Sequence, residues 1–310
     1  MNNKVFLVID GNSVAHRAFH AMPALTNRKG QAVGAIHGFM LAFLRAAEDF
    51  CPDYAAVCFD TKGGTFRDKE FTDYKSQRPP TAPDLIPQLK AIQDILPQIG
   101  VAVFAVQGFE ADDLIASVIA AAKKEIDEVC FYVLTGDYDS LQLVDERTKA
   151  FIINRGIKNA VLYDSAKVKE KFGVLPAQIP ALKALAGDAS DNIPGAPGIG
   201  PKAAVEILDK CASLEKAFAE IEASKDNFCF GASARARKIK NILLQNKDDI
   251  LKFQKLTTMV SDAPVGAPAE KCALKNFPAP GASAALLGLG LVGIAKRLPR
   301  NGVGRNGTLF

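Results

Sequence analysis

The stretch Gly108-Phe109-Glu110-Ala111-Asp112-Asp113-Leu114 places three carboxylates within four positions, between two apolar runs. The run before it, 101–106 (VAVFAV), reads as a buried strand. The run after it, 114–122, is broken only by Ser117 and leads to Lys123 and Lys124, so it reads as a helix whose first turn holds the three acids. The positive end of a helix dipole favours acids there. Like charges this close still repel unless solvent or a cation screens them. A solvated helix start would account for the three alone. A cation site becomes the stronger reading once Asp10, Asp60, Asp137, Asp139, Asp188 and Asp191 are added.

Several of these acids follow an apolar run. Residues 5–9 lead into Asp10-Gly11-Asn12, residues 54–59 into Asp60, and residues 130–134 into Thr135-Gly136-Asp137-Tyr138-Asp139. Such runs read as central strands. Between the first two lies a helical pattern over 31–50, with Val33, Ile36, Phe39, Met40, Phe43 and Leu44 near one face. A second helical pattern, 84–96, ends at Pro97. Alternating strands and helices predict an α/β fold with a mostly parallel central sheet flanked by helices. Ligands of such sheets sit beyond the carboxyl ends of the strands. Short strands are expected at 151–153 and 161–163, and a helix at 166–172. The residues after Asp10, including Asn12, Ser13, His16 and Arg17, read as a short polar segment.

Residues 61–81 break the alternation. Lys62, Arg67, Lys69, Lys75 and Arg78 are interleaved with Phe66, Phe71 and Tyr74, a mixture suited to gripping and stacking on a nucleic-acid strand, or to a surface loop tucking its aromatics inward. From about 176 the chain turns helical. Gly198-Ile199-Gly200-Pro201-Lys202 reads as a turn between helices whose exposed N–H groups suit a phosphate backbone. Helices are expected near 212–227, 232–246 and 249–257. Residues 261–310, rich in Pro, Ala and Gly, read as a linker-like tail with one terminal helix over 284–298.

Bulk properties narrow the class. The 310 residues carry 38 basic and 34 acidic side chains, a net charge of +4, which permits a nucleic-acid partner without demanding one. Hydrophobic residues make up 48%, enough for a substantial core. The six cysteines lack the close pairing of a zinc site, Cys58 and Cys130 sit in strand-like runs, and a reducing, cytoplasmic setting is expected. The N-terminus does not read as a signal peptide, and no apolar run reaches membrane-spanning length, so no membrane partner is expected.

Nine carboxylates at loop and strand-end positions, with neither His nor Cys among them, imply a hard cation, Mg²⁺ or Mn²⁺. They exceed what one ion needs, which implies two. Two ions roughly 4 Å apart suit in-line attack on a phosphodiester. Lys75 and Arg78 would then stabilise charge at the scissile phosphate, and Tyr74 would stack on a terminal base.

These motifs together resemble the bacterial 5′-nuclease family: the 5′–3′ exonuclease domain of type I DNA polymerases, related phage exonucleases and the flap endonucleases. The resemblance covers residues 4–260 and rests on Val8-Ile-Asp-Gly-Asn-Ser13, Phe59-Asp60, Phe66-Arg67, Tyr74-Lys75-Ser-Gln-Arg78, Gly108 to Asp113, Thr135 to Asp139, Gly187 to Gly195, and Gly198 to Lys202. It implies a PIN-like nuclease core over 1–175 with a helical arch at 61–95. A helical DNA-binding subdomain with a helix-hairpin-helix is implied over 176–260. It further implies that Asp10, Asp60, Glu110 and Asp112 bind a first metal ion. Asp113, Asp137, Asp139, Asp188 and Asp191 would belong to a second ion or its outer shell. Arg67, Lys75 and Arg78 match catalytically supportive arch positions, and Tyr74 a stacking tyrosine. Gly198, Gly200 and Lys202 match the turn that holds duplex, with a K⁺ ion.

The expected activity is structure-selective hydrolysis of 5′ flaps and of 5′ ends at nicks or gaps, RNA primers included, by a monomer. Retention of the full acid set argues for activity. No polymerase-like sequence follows, so a free-standing nuclease and a fragment are both open. A related metal-dependent RNase and a non-cleaving DNA-structure binder are the alternatives.

Overall fold

Strand β1 (Lys4–Asp10) is buried on both faces, and its alternation divides the core. Phe6 and Val8 point into one apolar cluster, Leu7 and Ile9 into another, as the two-residue strand period requires. The computed structural model describes residues 3–154, 159–223 and 233–299. Around β1 lie β2 (Tyr54–Cys58), β3 (Ala102–Phe104), β4 (Val129–Thr135), β5 (Thr148–Ile152) and β6 (Val161–Tyr163). Their order in the sheet is β3-β2-β1-β4-β5-β6. All neighbours pair in parallel except the edge pair β5 and β6. The chain leaves β1 in one direction toward β2 and β3, then returns to its other side as β4. That reversal opens a crevice beyond the carboxyl ends of β1 and β4.

Helices Gly34–Phe50 and Ile86–Gln98 cover one face of the sheet, and helix Ala111–Glu125 covers the other. A third cluster joins β5 and β6 to the helices Ile179–Ala186, Pro201–Cys211, Leu214–Ala223, Ala234–Gln245 and Lys247–Thr257. The helical subdomain therefore packs directly on the antiparallel edge of the sheet.

Three expectations change. The polar segment after Asp10 is a helix, Gly11–Ala21; Asp10 itself caps it, accepting the Ser13 N–H at 2.9 Å. The segment expected as a helical arch contains one short helix, Phe66–Glu70, turns through 72–78, and the first part of helix Ile86–Gln98. Pro79, Pro80 and Pro83 deny the backbone the donors that a continuous helix needs.

The third change is the tail. Residues 261–299 are no linker. Phe277, Leu286, Leu291 and Ile294 are buried in the cluster beneath helix Gly34–Phe50. The backbone is tied down too: Leu274 N–H donates to Asp53 O at 2.9 Å and Ala279 N–H to Ile99 O at 3.0 Å. The terminal helix is two short ones, Ala282–Gly288 and Val292–Ala295, parted at Gly290, whose φ of +81° lies in the left-handed region. Cys51, Cys58, Cys130 and Cys272 are free thiols, while Cys211 is disulfide-bonded. Among the described residues no helix is long and apolar enough to cross a membrane. The C-terminal eleven residues, 300–310, lie outside the described set.

Candidate metal centre

Beyond the ends of β1 and β4 lies an open cleft of about 990 Å³, lined by Asp10, Asp60, Glu110, Asp112, Asp137, Asp139 and Asp191 together with Arg67, Tyr74, Lys75 and Arg78. Asp10 closes β1, Asp60 follows β2, and Asp137 follows β4 by two residues. Glu110 and Asp112 open helix Ala111–Glu125. Asp188 and Asp191 come from the loop after helix Ile179–Ala186. Residues more than 180 positions apart in the chain thus meet in one place.

A lattice of donors fixes the acids. Asp10 Oδ2 accepts the Thr135 hydroxyl at 2.8 Å, and the same Thr135 oxygen accepts the Asp137 N–H at 3.0 Å. Asp60 Oδ1 accepts the Ala111 N–H at 2.7 Å, which ties the β2 end to the acidic helix start. Asn12 Oδ1 accepts the Asp60 N–H at 3.1 Å. A Cβ at Gly136 would lie 2.6 Å from Arg17 Nε and 3.0 Å from Ser13 Oγ, so a larger residue there would push both side chains aside. Arg17 in turn donates to the carbonyls of Gly136 and Asn154, at 2.8 and 3.1 Å.

Crowding and burial raise the protonation equilibria of these acids. Burial, reinforced by Asp60 and Asp137, lifts the Asp10 carboxyl to about 7. Asp139 is also lifted to about 7, by burial and then by Asp137. Burial and the charges of Asp10, Asp137 and Asp139 hold Asp112 well above the usual carboxylate range. Asp188 goes the other way: despite burial, Lys183 and Ser190 hold it below that range. These directions are what a pocket of carboxylates without enough positive charge produces. Asp139, Asp188 and Asp191 present oxygens all within 4.8 Å of one another, a spacing that could hold one ion.

The structure turns Asp113 away from this cleft. It is 0% exposed, and its two oxygens face Arg67 at 2.7 and 2.8 Å. They also accept the N–H groups of Glu110 and Val260. With every oxygen engaged, Asp113 has none to offer an ion. Its role is that of the third residue of a capping box opened by Glu110. Arg67, expected among the catalytic cations, is likewise committed: it donates to Asp113 and to the carbonyls of Leu256 and Thr258.

Tyr74 also departs from expectation. Its ring is buried in the cluster shared with the helical subdomain, as in a loop that tucks its aromatics inward. Its hydroxyl lies 3.3 Å from Glu110 Oε2 and 3.2 Å from Asp191 Oδ2, linking acids from the core and the subdomain. Burial and those two carboxylates push its ionisation upward, so it stays a donor. Lys75 Nζ sits 2.9 Å from both Glu110 oxygens, and Arg78 Nη2 lies 2.6 Å from Asp191 Oδ1. Lys75 has φ of +54°, costly for a side-chain-bearing residue, and is held there by its N–H bond to Asp191 O at 3.1 Å.

Lys183, which the sequence reading did not single out, contacts Asp139 and lies 2.5 Å from Asp188 Oδ2. A lone cation in the otherwise apolar helix Ile179–Ala186, five residues before Asp188, was the available signal. Gly198, Gly200 and Lys202 lie elsewhere, at an exposed turn leading into helix Pro201–Cys211. Gly198 has φ of +90°, Gly200 is the N-cap, and Ile199 between them is buried as the anchor.

Comparison with known proteins agrees with this architecture. Residues 5–173 match the 5′-3′ exonuclease N-terminal resolvase-like domain, and residues 174–279 the 5′-3′ exonuclease C-terminal SAM fold. DNA polymerase I of Bacillus subtilis is 37% identical over 262 residues, covering 84% of this chain and 28% of the relative. DNA polymerase I of Caldicellulosiruptor bescii is 35% identical over 273 residues, covering 87% and 31%. The chain thus spans under a third of the length of these curated relatives. Among solved structures, the T5 D15 protein co-crystallised with metal ions superposes with a TM-score of 0.66 at 17% identity, over 94% of this chain and 97% of that one. The catalytic core of Rad2 in complex with DNA substrate gives 0.52 at 14% identity, over 93% and 88%. Sheet order, acid-lined crevice, subdomain and both domain matches lead to one assignment: the chain belongs to the 5′-3′ exonuclease family.

Proposed function

We propose that this protein is a divalent-metal-dependent, structure-selective 5′-nuclease that hydrolyses phosphodiesters at 5′ flaps and at 5′ ends of nicked or gapped duplex, RNA primers included. The observation that carries the reading is the convergence of seven carboxylates from both halves of the chain on one cleft. Their donors are oxygens alone, which suits Mg²⁺ or Mn²⁺, and the raised equilibria of Asp10 and Asp139 mark an excess of negative charge that cations would relieve. Asp10, Asp60, Glu110 and Asp112 would hold one ion, and Asp137, Asp139, Asp188 and Asp191 the other. When bound, two such ions activate water and neutralise charge on the leaving oxygen.

The chain's own groups do the rest. Thr135 and Ser13 hold Asp10 in place, and Asn12 and Ala111 hold Asp60. Lys75 and Arg78 bring positive charge to a cleft that would otherwise repel a phosphate. Tyr74 positions Glu110 and Asp191 against each other. Arg67 and Asp113 are positioning residues that anchor the start of helix Ala111–Glu125. The turn at Gly198, Gly200 and Lys202 would take duplex backbone, with a K⁺ ion, and the exposed Arg237 and Lys238 of helix Ala234–Gln245 would extend that contact. A cytoplasmic monomer fits this role.

A 5′-labelled flap duplex tests the reading. With Mg²⁺ it should be cut near the junction, EDTA should stop the cutting, and Asp137→Ala should bind the flap without cutting it. Flap binding without Mg²⁺-dependent cutting by the wild-type chain would instead favour a DNA-structure binder.

A further inference from the structure

Lys183 reaches two acids at once, one from each half of the molecule. It projects from helix Ile179–Ala186, whose Ala181, Ala184 and Leu185 are buried. Its ammonium contacts Asp139, beyond β4, and lies 2.5 Å from Asp188 Oδ2. The third member of that oxygen cluster, Asp191, is paired with Arg78 at 2.6 Å. Each of the three acids whose oxygens lie within 4.8 Å therefore already faces a cation supplied by the chain.

We propose that Lys183 is an internal counter-cation for the Asp139–Asp188–Asp191 group and sets how tightly that group takes a divalent ion. The inference rests on the reading that these acids hold a metal. An ammonium on a flexible four-carbon stem can swing aside without backbone movement, whereas a rigid guanidinium fork cannot do so as readily. With no ion bound, Lys183 neutralises two acids and ties the core to the helical subdomain. An arriving divalent ion meets that positive charge at close range, so it must displace the ammonium or bind against its repulsion. The coupling is reciprocal: whatever Lys183 gains from the acids is subtracted from the ion's affinity. A lysine here lowers the affinity of that group for its ion, which is retained best when substrate phosphate adds negative charge to the cleft.

Calorimetric titration of the full chain with Mg²⁺ alone, without DNA, tests this. Lys183→Met should tighten Mg²⁺ binding at one site roughly 5-fold or more, the range of ordinary site–site couplings. It should also enlarge the rise in Tm that Mg²⁺ produces. Lys183→Arg, which keeps the charge on a fork that moves aside less readily, should leave the site no tighter than wild type. If Lys183→Met does not fold, Lys183→Gln carries the same expectation. A folded, uncharged variant that binds Mg²⁺ no more tightly than wild type would overturn the proposal, since a merely structural lysine would leave the affinity unchanged or weaken it. A wild-type chain that binds no Mg²⁺ would refute the metal reading itself, a separate outcome.

Discussion

Arg67 and Asp113 meet as two parallel N–H to oxygen bonds of 2.7 and 2.8 Å, closed off from solvent. The pair joins the segment after β2 to the helix that presents Glu110 and Asp112. Removing one partner strands a buried charge. Arg67→Ala and Asp113→Ala should each cost about 3–5 kcal/mol in urea unfolding, and the double variant should cost less than the sum of the two. Additive losses would show that the two side chains act independently.

Stability should depend on pH in a direction set by the cleft acids. Asp10 and Asp139 have folded-state values of about 7, above the ordinary 3.8. Between those values the folded chain holds protons that the unfolded chain has released, so stability falls as pH rises. In EDTA, Tm should therefore decline from about pH 4 to about pH 7. Mg²⁺ must displace those protons, so its stabilising effect should grow over the upper part of the same window. Thermal melts with and without Mg²⁺ across that range check both trends.

The sequence made the strand ends legible because an apolar run closed by an acid is a local pattern, as at Asp10 and Asp60. It hid whatever depended on a distant partner. Asp113 looked like its neighbour Asp112 until Arg67, 46 residues earlier, was found against it. Glu110 and Asp113 lack the Ser/Thr-to-Glu/Gln pattern of a capping box, so their capping geometry shows only in the fold. Tyr74 could be read as stacking on a base or as tucked inward, and only the fold shows its ring filling a gap between core and subdomain. In the tail, Pro and Gly masked Phe277, which lies in no helix or strand and is buried only through tertiary packing.

The tail should behave as core. Phe277 packs edge-on against Phe43 with ring centres 5.6 Å apart and is 2% exposed. Phe277→Ala should destabilise the chain by about 3–5 kcal/mol. Truncation after residue 260 should leave an unfolded or aggregated product, as judged by circular dichroism.

Tyr74 offers a contrast between packing and chemistry. Tyr74→Ala should lower stability by about 3–5 kcal/mol in the absence of DNA. Tyr74→Phe keeps the packed ring and loses only the hydroxyl between Glu110 and Asp191, so it should stay folded while cutting flaps more slowly. A stable Tyr74→Ala with weakened flap binding would show that the ring faces DNA after all.

The most direct measurement is an anomalous difference map from crystals grown with Mn²⁺. Peaks should appear in the crevice beyond β1 and β4, one against Asp10, Asp60, Glu110 and Asp112 and one against Asp137, Asp139, Asp188 and Asp191. A map with full Mn²⁺ in the solvent and no peak between these carboxylates would contradict the account.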